Sequence, residues 1–448
     1  MNAIQKIAAR ACAISAGVVF FSQSAWALLP IEHWQEPSGA QVWLVQSPAL
    51  PMVDVQIDFD AGSRRDPAAQ AGLAAAVATR ATKGVRAVGS APAIDENALG
   101  EAWADLGAGF SASADRDSFS FSLRSLTDAP LLARAADLAA RQMGHSAWPE
   151  DIWQRERARW SAAIREADTR PGTVASKAFA KAVYGAHPYG QRATPETLAH
   201  IAPADLRAYA ERYLQACRAR VAIVGAVSRP EAQALVGRLL AHLPSGAPCS
   251  ALAPVAEVPA LARAEDVRIP FASAQAYVLV GQPGFRRSDP DFLALLVGNH
   301  ILGGGGFTSR LTEEVREKRG LSYSVYSQFA PGLNAGAFSL SLQTRPDQAA
   351  EALKVSRAVL ERFVAEGPTE DELRAAKDNL IGGFALRIDS NRKLLGNVVN
   401  IATNGLPLDY LEGWTQRVAA LTVADVRAAM ARKLQPERMV TVVLGAQP

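Results

Sequence analysis

LAHIAPADLRAYAERYLQACRARVAIVGA, residues 198–226, and VAALTVADVRAAMARKLQPERMVTVVLGA, residues 418–446, align without a gap at an offset of 220, with 11 identities in 29 positions. Asp205 falls on Asp425, Arg207 on Arg427, Leu214 on Leu434 and Gly225 on Gly445. Each copy reads as a polar start, an amphipathic helix and an apolar strand that stops at glycine. One register held through helix, turn and strand argues for duplication over two unrelated helix–strand units. Two domains of like topology are expected.

Working outward, other pieces fall in parallel. SFSFSLRSL, from Ser118, alternates Phe119, Phe121 and Leu123, and AFSLSLQT alternates Phe338, Leu340 and Leu342. Alternation of this kind marks strands with one buried face. Ala- and Leu-rich helical stretches follow both: LTDAPLLARAADLAARQM and RPDQAAEALKVSRAVLERFV. Upstream, VDVQIDFDAG sets Val53, Val55, Ile57 and Phe59 against Asp54, Gln56, Asp58 and Asp60, a half-solvated strand. The fold class is therefore α+β: two homologous domains, each a mixed, mainly antiparallel sheet with helices packed on one face. HLPSGAPCSALAPVAEVPALARAEDV is rich in Pro and Ala without a sustained period, and reads as a linker over 243–266. The domains then cover 28–242 and 267–448.

Residues 1–27 stand apart. Lys6 and Arg10 precede the apolar run AISAGVVFF, and Ala25-Trp26-Ala27 reads as a small-x-small cleavage site. This is a secretory signal pattern, its apolar part short for a membrane span, so export to the periplasm without stable membrane insertion is expected. At 448 residues, with 49% hydrophobic and 20% charged, the chain is ordinary for a globular protein of two or three domains. Its formal charge of +3 loses two positive charges with the signal, which leaves no general pull toward nucleic acid. Cys217 and Cys249 remain after cleavage; a disulfide and two buried thiols are both open.

GGGGFTSRLTEEVREKRGLSYSVYS, residues 303–327, invites a phosphate-cradle reading. Such a loop needs lysine and a hydroxyl directly after its last glycine, whereas Gly306 is followed by Phe307, Thr308, Ser309 and Arg310. The glycines read better as a tight turn between helices. LTEEVREK is helical, with Leu311 and Val315 on one face, acids early and bases late. Gly320 ends it, and LSYSVYS continues as a strand with Leu321, Tyr323 and Val325 on one face and Tyr326 on the other. Arg316 on the last helical turn and Tyr323 on the strand are expected to converge.

This segment resembles the second-domain signature of the pitrilysin/insulinase family of zinc peptidases, in its mitochondrial processing peptidase type. FDAGSRRDPAAQAGLA and YGAHPYG, from Tyr184, resemble two first-domain signatures, and GAGFSASADRDSFSFS resembles the family's edge-strand region. The resemblance covers essentially the whole chain after the signal and implies the duplicated architecture.

In catalytic members a His-x-x-Glu-His helix follows the Gly-Leu-Ala that Gly72-Leu73-Ala74 resembles. Two histidines four apart reach one zinc ion, and the glutamate serves as base. Here GLAAAVATRATKG puts Ala75 and Thr79 at the histidine positions and Ala78 at the glutamate's. The third ligand, a later glutamate, matches Ala163 by its spacing from Pro171. Zinc binding by this chain is not expected. Glu156, Glu166 and Asp168 lie near that third position and read as surface carboxylates; His187 reads as a structural loop histidine.

Heterodimers in the family divide the work: one subunit holds zinc, the other projects an Arg and a Tyr into its active site. Arg316 and Tyr323 match that pair by resemblance. A guanidinium offers planar donors to a peptide carbonyl, and a tyrosine hydroxyl can donate to the oxyanion formed when that carbonyl is attacked. Arg310 and Arg319 read as solvated or helix-end charges. The resemblance thus implies a non-catalytic subunit of an exported zinc metalloendopeptidase, inactive alone, with catalytic and substrate-binding residues Arg316 and Tyr323. Its expected partners are a zinc-bearing homologue and a peptide or unfolded polypeptide; the alternative is a scaffold or peptide-binding homologue.

Overall fold

Strands appear where apolar alternation places them, and their pairing repeats in both halves. The protein is described here as a computed structural model covering residues 30–147, 149–244 and 249–445; the expected signal, 1–27, lies outside the described residues. The first half contributes β1 (Glu32–Gln35), β2 (Gln41–Gln46), β3 (Met52–Phe59), β4 (Gly109–Ala114), β5 (Phe119–Leu126) and β6 (Arg220–Gly225), in sheet order β1-β2-β6-β3-β5-β4. The second contributes β7 (Glu265–Ile269), β8 (Ala276–Pro283), β9 (Ser324–Phe329), β10 (Ala337–Thr344) and β11 (Val440–Leu444), in order β7-β11-β8-β10-β9. β2–β6 and β7–β11 are parallel, and the other neighbours are antiparallel. Strip β1 away and the two orders coincide strand for strand.

The duplicated residues do the same physical work in both copies. Asp205 accepts the Ala202 N–H at the start of helix Pro203–Tyr213, and Asp425 accepts the Thr422 N–H at the start of helix Val423–Lys433, each at 2.8 Å. Satisfying an N-terminal donor in this way fixes where the helix begins. Leu214 and Leu434 are both buried where the chain turns back toward the sheet. Helices Ala129–His145 and Ala349–Glu366 follow β5 and β10, as the sequence implies.

Each sheet also takes a helix from the other half. Helix Pro171–Tyr184 packs on β8 and β11, where Phe179 and Val183 join Val440, Val442 and Leu444 in one apolar cluster. Helix Asn391–Asn404 packs on β6 and β3, joining Leu394, Leu395, Val398 and Ile401 to Trp43, Val45, Ala222 and Val224. These helices begin 220 residues apart, the offset of the repeat. The exchange corrects the expectation of a half-solvated β3: with its outer face covered, Asp54 and Asp58 are buried. Arg124 pairs with Asp54 at 2.6 Å, and the Ser120 hydroxyl donates to Asp58 at 2.5 Å. Burial pushes the Asp58 carboxyl up despite the Ser120 and Gln56 hydrogen bonds.

The described parts of the connection between halves are held at several points. Helix Arg229–Leu240 ends the first half, and β7 takes up Glu265 and Asp266, which the sequence placed in the linker. Cys217 and Cys249, whose pairing the sequence left open, are joined by a disulfide with Cα atoms 6.0 Å apart. Farther on, His187 Nε2 and Asn334 Nδ2 both meet the Ala256 carbonyl, at 2.8 and 3.1 Å. Among the described residues no helix is long and apolar enough to cross a membrane.

Candidate functional site

The helix that would carry zinc in a catalytic relative is intact as a helix. Gly72, at φ +108°, turns the chain into Leu73–Arg80, and the Asp66 carboxylate accepts the Gly72 and Ala74 N–H groups, each at 2.9 Å. Ala78 is buried and Ala75 and Thr79 are half-buried; the Thr79 hydroxyl is committed to the Ala75 carbonyl at 3.0 Å. Gly72 and Ala75 line a cavity of about 360 Å³ with Trp160, Ile164 and Ala167 of helix Glu150–Ala167. Ala163, on that same helix, is exposed and does not line the cavity. Methyl groups and a hydroxyl already bonded within the helix supply no ligand set, so these residues do not fit zinc.

Neighbouring candidates are engaged elsewhere. Among the described residues no group of three or more His, Cys, Asp or Glu is placed to hold a metal ion. His187 is buried with both ring nitrogens occupied, one by the Ala256 carbonyl and one by the Tyr189 N–H. Glu166 and Asp168 are exposed and paired with Arg170 and Lys177. Glu156 differs from the surface carboxylate expected. It is buried against Lys83, Arg155 and Arg159, and although burial raises its pKa, these cations hold the carboxyl below its usual range.

The second half gathers the other set. Gly303 lies against β9: a Cβ there would sit 2.6 Å from the Ser327 amide nitrogen. Asn299 fastens the same strand, its Nδ2 donating to the Ser327 carbonyl at 3.1 Å and its Oδ1 accepting from the Ser327 hydroxyl at 2.8 Å. Gly306 adopts φ +63°, which only glycine takes without strain. The glycines thus serve close approach and a turn, and Phe307 is carried outward, 72% exposed.

After the turn, LTEEVREK forms a wide π-helical turn at Thr312–Glu317, with the Lys318 N–H donating to the Glu313 carbonyl. Such turns recur at functional sites. Leu311 and Val315 face the core as expected. The strand reading of Tyr323 needs correction. β9 begins at Ser324, and the buried Ser322 hydroxyl donates to the Gln343 and Ser324 carbonyls at 2.6 and 2.8 Å. Ser322 therefore takes the inward place and Tyr323 swings out, 82% exposed, away from the face shared by Leu321 and Val325.

Arg316 and Tyr323 do converge. The guanidinium carbon lies 4.6 Å from the Tyr323 ring centroid and 4.8 Å from that of Phe307, and Nε is 3.3 Å from the Glu317 carboxylate. Among the described residues no hydrogen bond engages the Arg316 Nη atoms or the Tyr323 hydroxyl. Both residues line a cavity of about 480 Å³ with Phe307, Thr312, Tyr326 and Gln328. Donors without partners at the rim of an open cavity are what an incoming carbonyl requires. Arg310, expected to be a solvated charge, instead forms a fork with Glu372 at 2.6 and 2.7 Å beneath Phe363. Arg319 closes on Glu314 as a helix-end charge.

Residues 200–380 match the family described as "Peptidase M16 inactive domain". A Streptomyces coelicolor protein named as an uncharacterized zinc protease is 36% identical over 171 residues, covering 38% of this chain and 37% of that protein. A Mycobacterium leprae protein named in the same way is 30% identical over 285 residues, 62% of each chain. The matches thus span less than two thirds of these relatives' own lengths. The crystal structure of a peptidase M16 inactive domain from Pseudomonas fluorescens superimposes with a TM-score of 0.87 at 35% identity, covering 93% of this chain and 98% of that one.

Proposed function

The chain belongs to the M16 peptidase family as a non-catalytic member, and from that premise we propose that it is the Arg/Tyr-bearing subunit of an exported heterodimeric peptidase whose homologous partner holds the zinc. The observation that carries the reading is the pairing of Arg316 with Tyr323 at one cavity, in a chain whose first-half helix holds only Ala75, Ala78 and Thr79 at the ligand positions. The chain's own share of the work is binding. Arg316 Nη donors take a peptide carbonyl, and the Tyr323 hydroxyl donates to the oxygen as it gains charge. In the isolated subunit these groups face water; enclosure against a partner would raise their value, because hydrogen bonds to developing charge strengthen as water is excluded.

Extended polypeptide fits the surroundings. β4 and β9 are edge strands of their sheets, and an edge can add a substrate strand through backbone bonds indifferent to sequence. The β9 edge is partly occupied by Asn299, whose Nδ2 donates to the Ser327 carbonyl.

The test is reconstitution. The purified mature chain, mixed with a zinc-bearing homologue, is expected to yield peptide cleavage that neither protein shows alone. Tyr323→Phe should lower kcat by about 100-fold or more, the usual cost of losing one donor to an oxyanion. Arg316→Ala should lower kcat/KM at least as far. Cleavage indifferent to both changes would reject this role and leave a scaffold or peptide-binding homologue as the better description.

A further inference from the structure

Phe307 stands outside the Arg/Tyr pair yet touches it. Its ring is 72% exposed at the tip of the turn Gly306–Thr308, and an isolated apolar side chain there gains little from burial. What it does contact is the Arg316 guanidinium, at 4.8 Å from centroid to Cζ, nearly the spacing of Tyr323 on the same group. Glu317 meets Nε at 3.3 Å. The guanidinium is therefore in contact with two rings and anchored at Nε, and, with Arg316 lining the cavity, Nη1 and Nη2 are the donors left for a ligand.

We propose that Phe307 is a positioning residue for Arg316: with Tyr323 and Glu317 it orients the guanidinium so that only its Nη end is offered, which selects a planar oxygen acceptor arriving end-on. The inference rests on the proposed binding role of the Arg/Tyr pair and adds a third residue to it. The physical basis is the negative face of an aromatic ring, which attracts a cation that an aliphatic side chain of similar volume does not. A freely rotating arginine would spread its donors over many directions; holding it costs little at binding because its rotamer freedom is already lost. The glycine turn has a part in this, since Gly306 at φ +63° directs the following ring back over the π-helical turn that carries Arg316.

Two measurements on the full mature chain separate this inference from the reading beneath it. In protein carrying isotope-labelled arginine, the Arg316 Nε–H resonance, assigned by its loss in Arg316→Lys, is expected to show the ring-current shift of a stacked guanidinium. Phe307→Leu should move it toward the position of a free arginine, while Phe307→Trp should keep it shifted. In parallel, binding of a fluorescein-labelled unstructured casein peptide should weaken about 2- to 5-fold in Phe307→Leu and hold in Phe307→Trp, the range of one exposed cation–π contact. An unmoved resonance in Phe307→Leu overturns the inference, as does unchanged affinity in that variant while Arg316→Ala weakens binding. Affinity indifferent to Arg316→Ala sinks the proposed role of the pair instead, with the resonance still deciding whether Phe307 orients the side chain.

Discussion

At Asp66 burial and hydrogen bonding pull in opposite directions. Burial pushes this carboxyl up to about 6 from 3.8, against the lowering effect of the Gly72, Ala74 and Leu73 N–H groups. A group whose pKa is raised in the folded state binds its proton more tightly when folded. Its contribution is thus fully present below pH 3.8 and lost as pH rises toward 6. Between pH 4 and 7 the wild type should lose stability relative to Asp66→Asn on the order of 3 kcal/mol, read from urea midpoints at the two pH values. A difference between the two proteins that stays constant with pH would show that Asp66 is ionised at both ends. The same scale shows where sequence reading stops. Arg316 and Tyr323 were legible because a motif names them, but the outward swing of Tyr323 depends on Ser322 meeting the Gln343 carbonyl, 21 residues away. Phe307 left no signal at all, since its role exists only through its distance to Arg316.

Among the elements, the exchanged helices are where local pattern and global placement part company. Helix Asn391–Asn404 shows its apolar stripe of Leu394, Leu395, Val398 and Ile401 in the sequence, but amphipathicity says that a helix has a face to bury, not which sheet will cover it. The repeat offset was readable, and so were the strands; the crossing of each helix to the other half was not. Packing nevertheless fixes its weight. Phe179 is nearly buried on β8 and β11, so Phe179→Ala should destabilise the protein by about 3–5 kcal/mol, the cost of truncating a core phenylalanine. Because the ring sits on the second sheet while its helix belongs to the first half, hydrogen exchange should quicken in β8 and β11 as well as in 171–184. Faster exchange confined to the helix itself would mean the sheet does not depend on it.

For the whole molecule, exchange makes two domains into one folding problem. Residues 30–244 alone would bare Trp43, Val45, Ala222 and Val224, the floor on which helix Asn391–Asn404 lies. Residues 249–445 alone would bare Val440, Val442 and Leu444 and carry a helix without its sheet. Polar contacts add to the coupling: the Asn334 N–H donates to the Tyr189 hydroxyl at 2.9 Å, the Leu333 N–H to Asp117 at 3.0 Å, and the Ala337 N–H to the Tyr184 hydroxyl at 2.8 Å. Breaking the halves apart would exchange these bonds for bonds to water, a net loss of about 0.5–1.5 kcal/mol each. The expected outcome is that neither fragment is a well-behaved monomer: each should aggregate and bind a hydrophobic dye. Made together in one cell, the two should copurify in equal amounts, and the full chain should unfold in urea in a single transition by fluorescence and circular dichroism alike. A soluble, cooperatively unfolding monomer of residues 30–244 would show that the borrowed helix is an ornament on a complete domain, and the coupling argued from these two faces would fall with it.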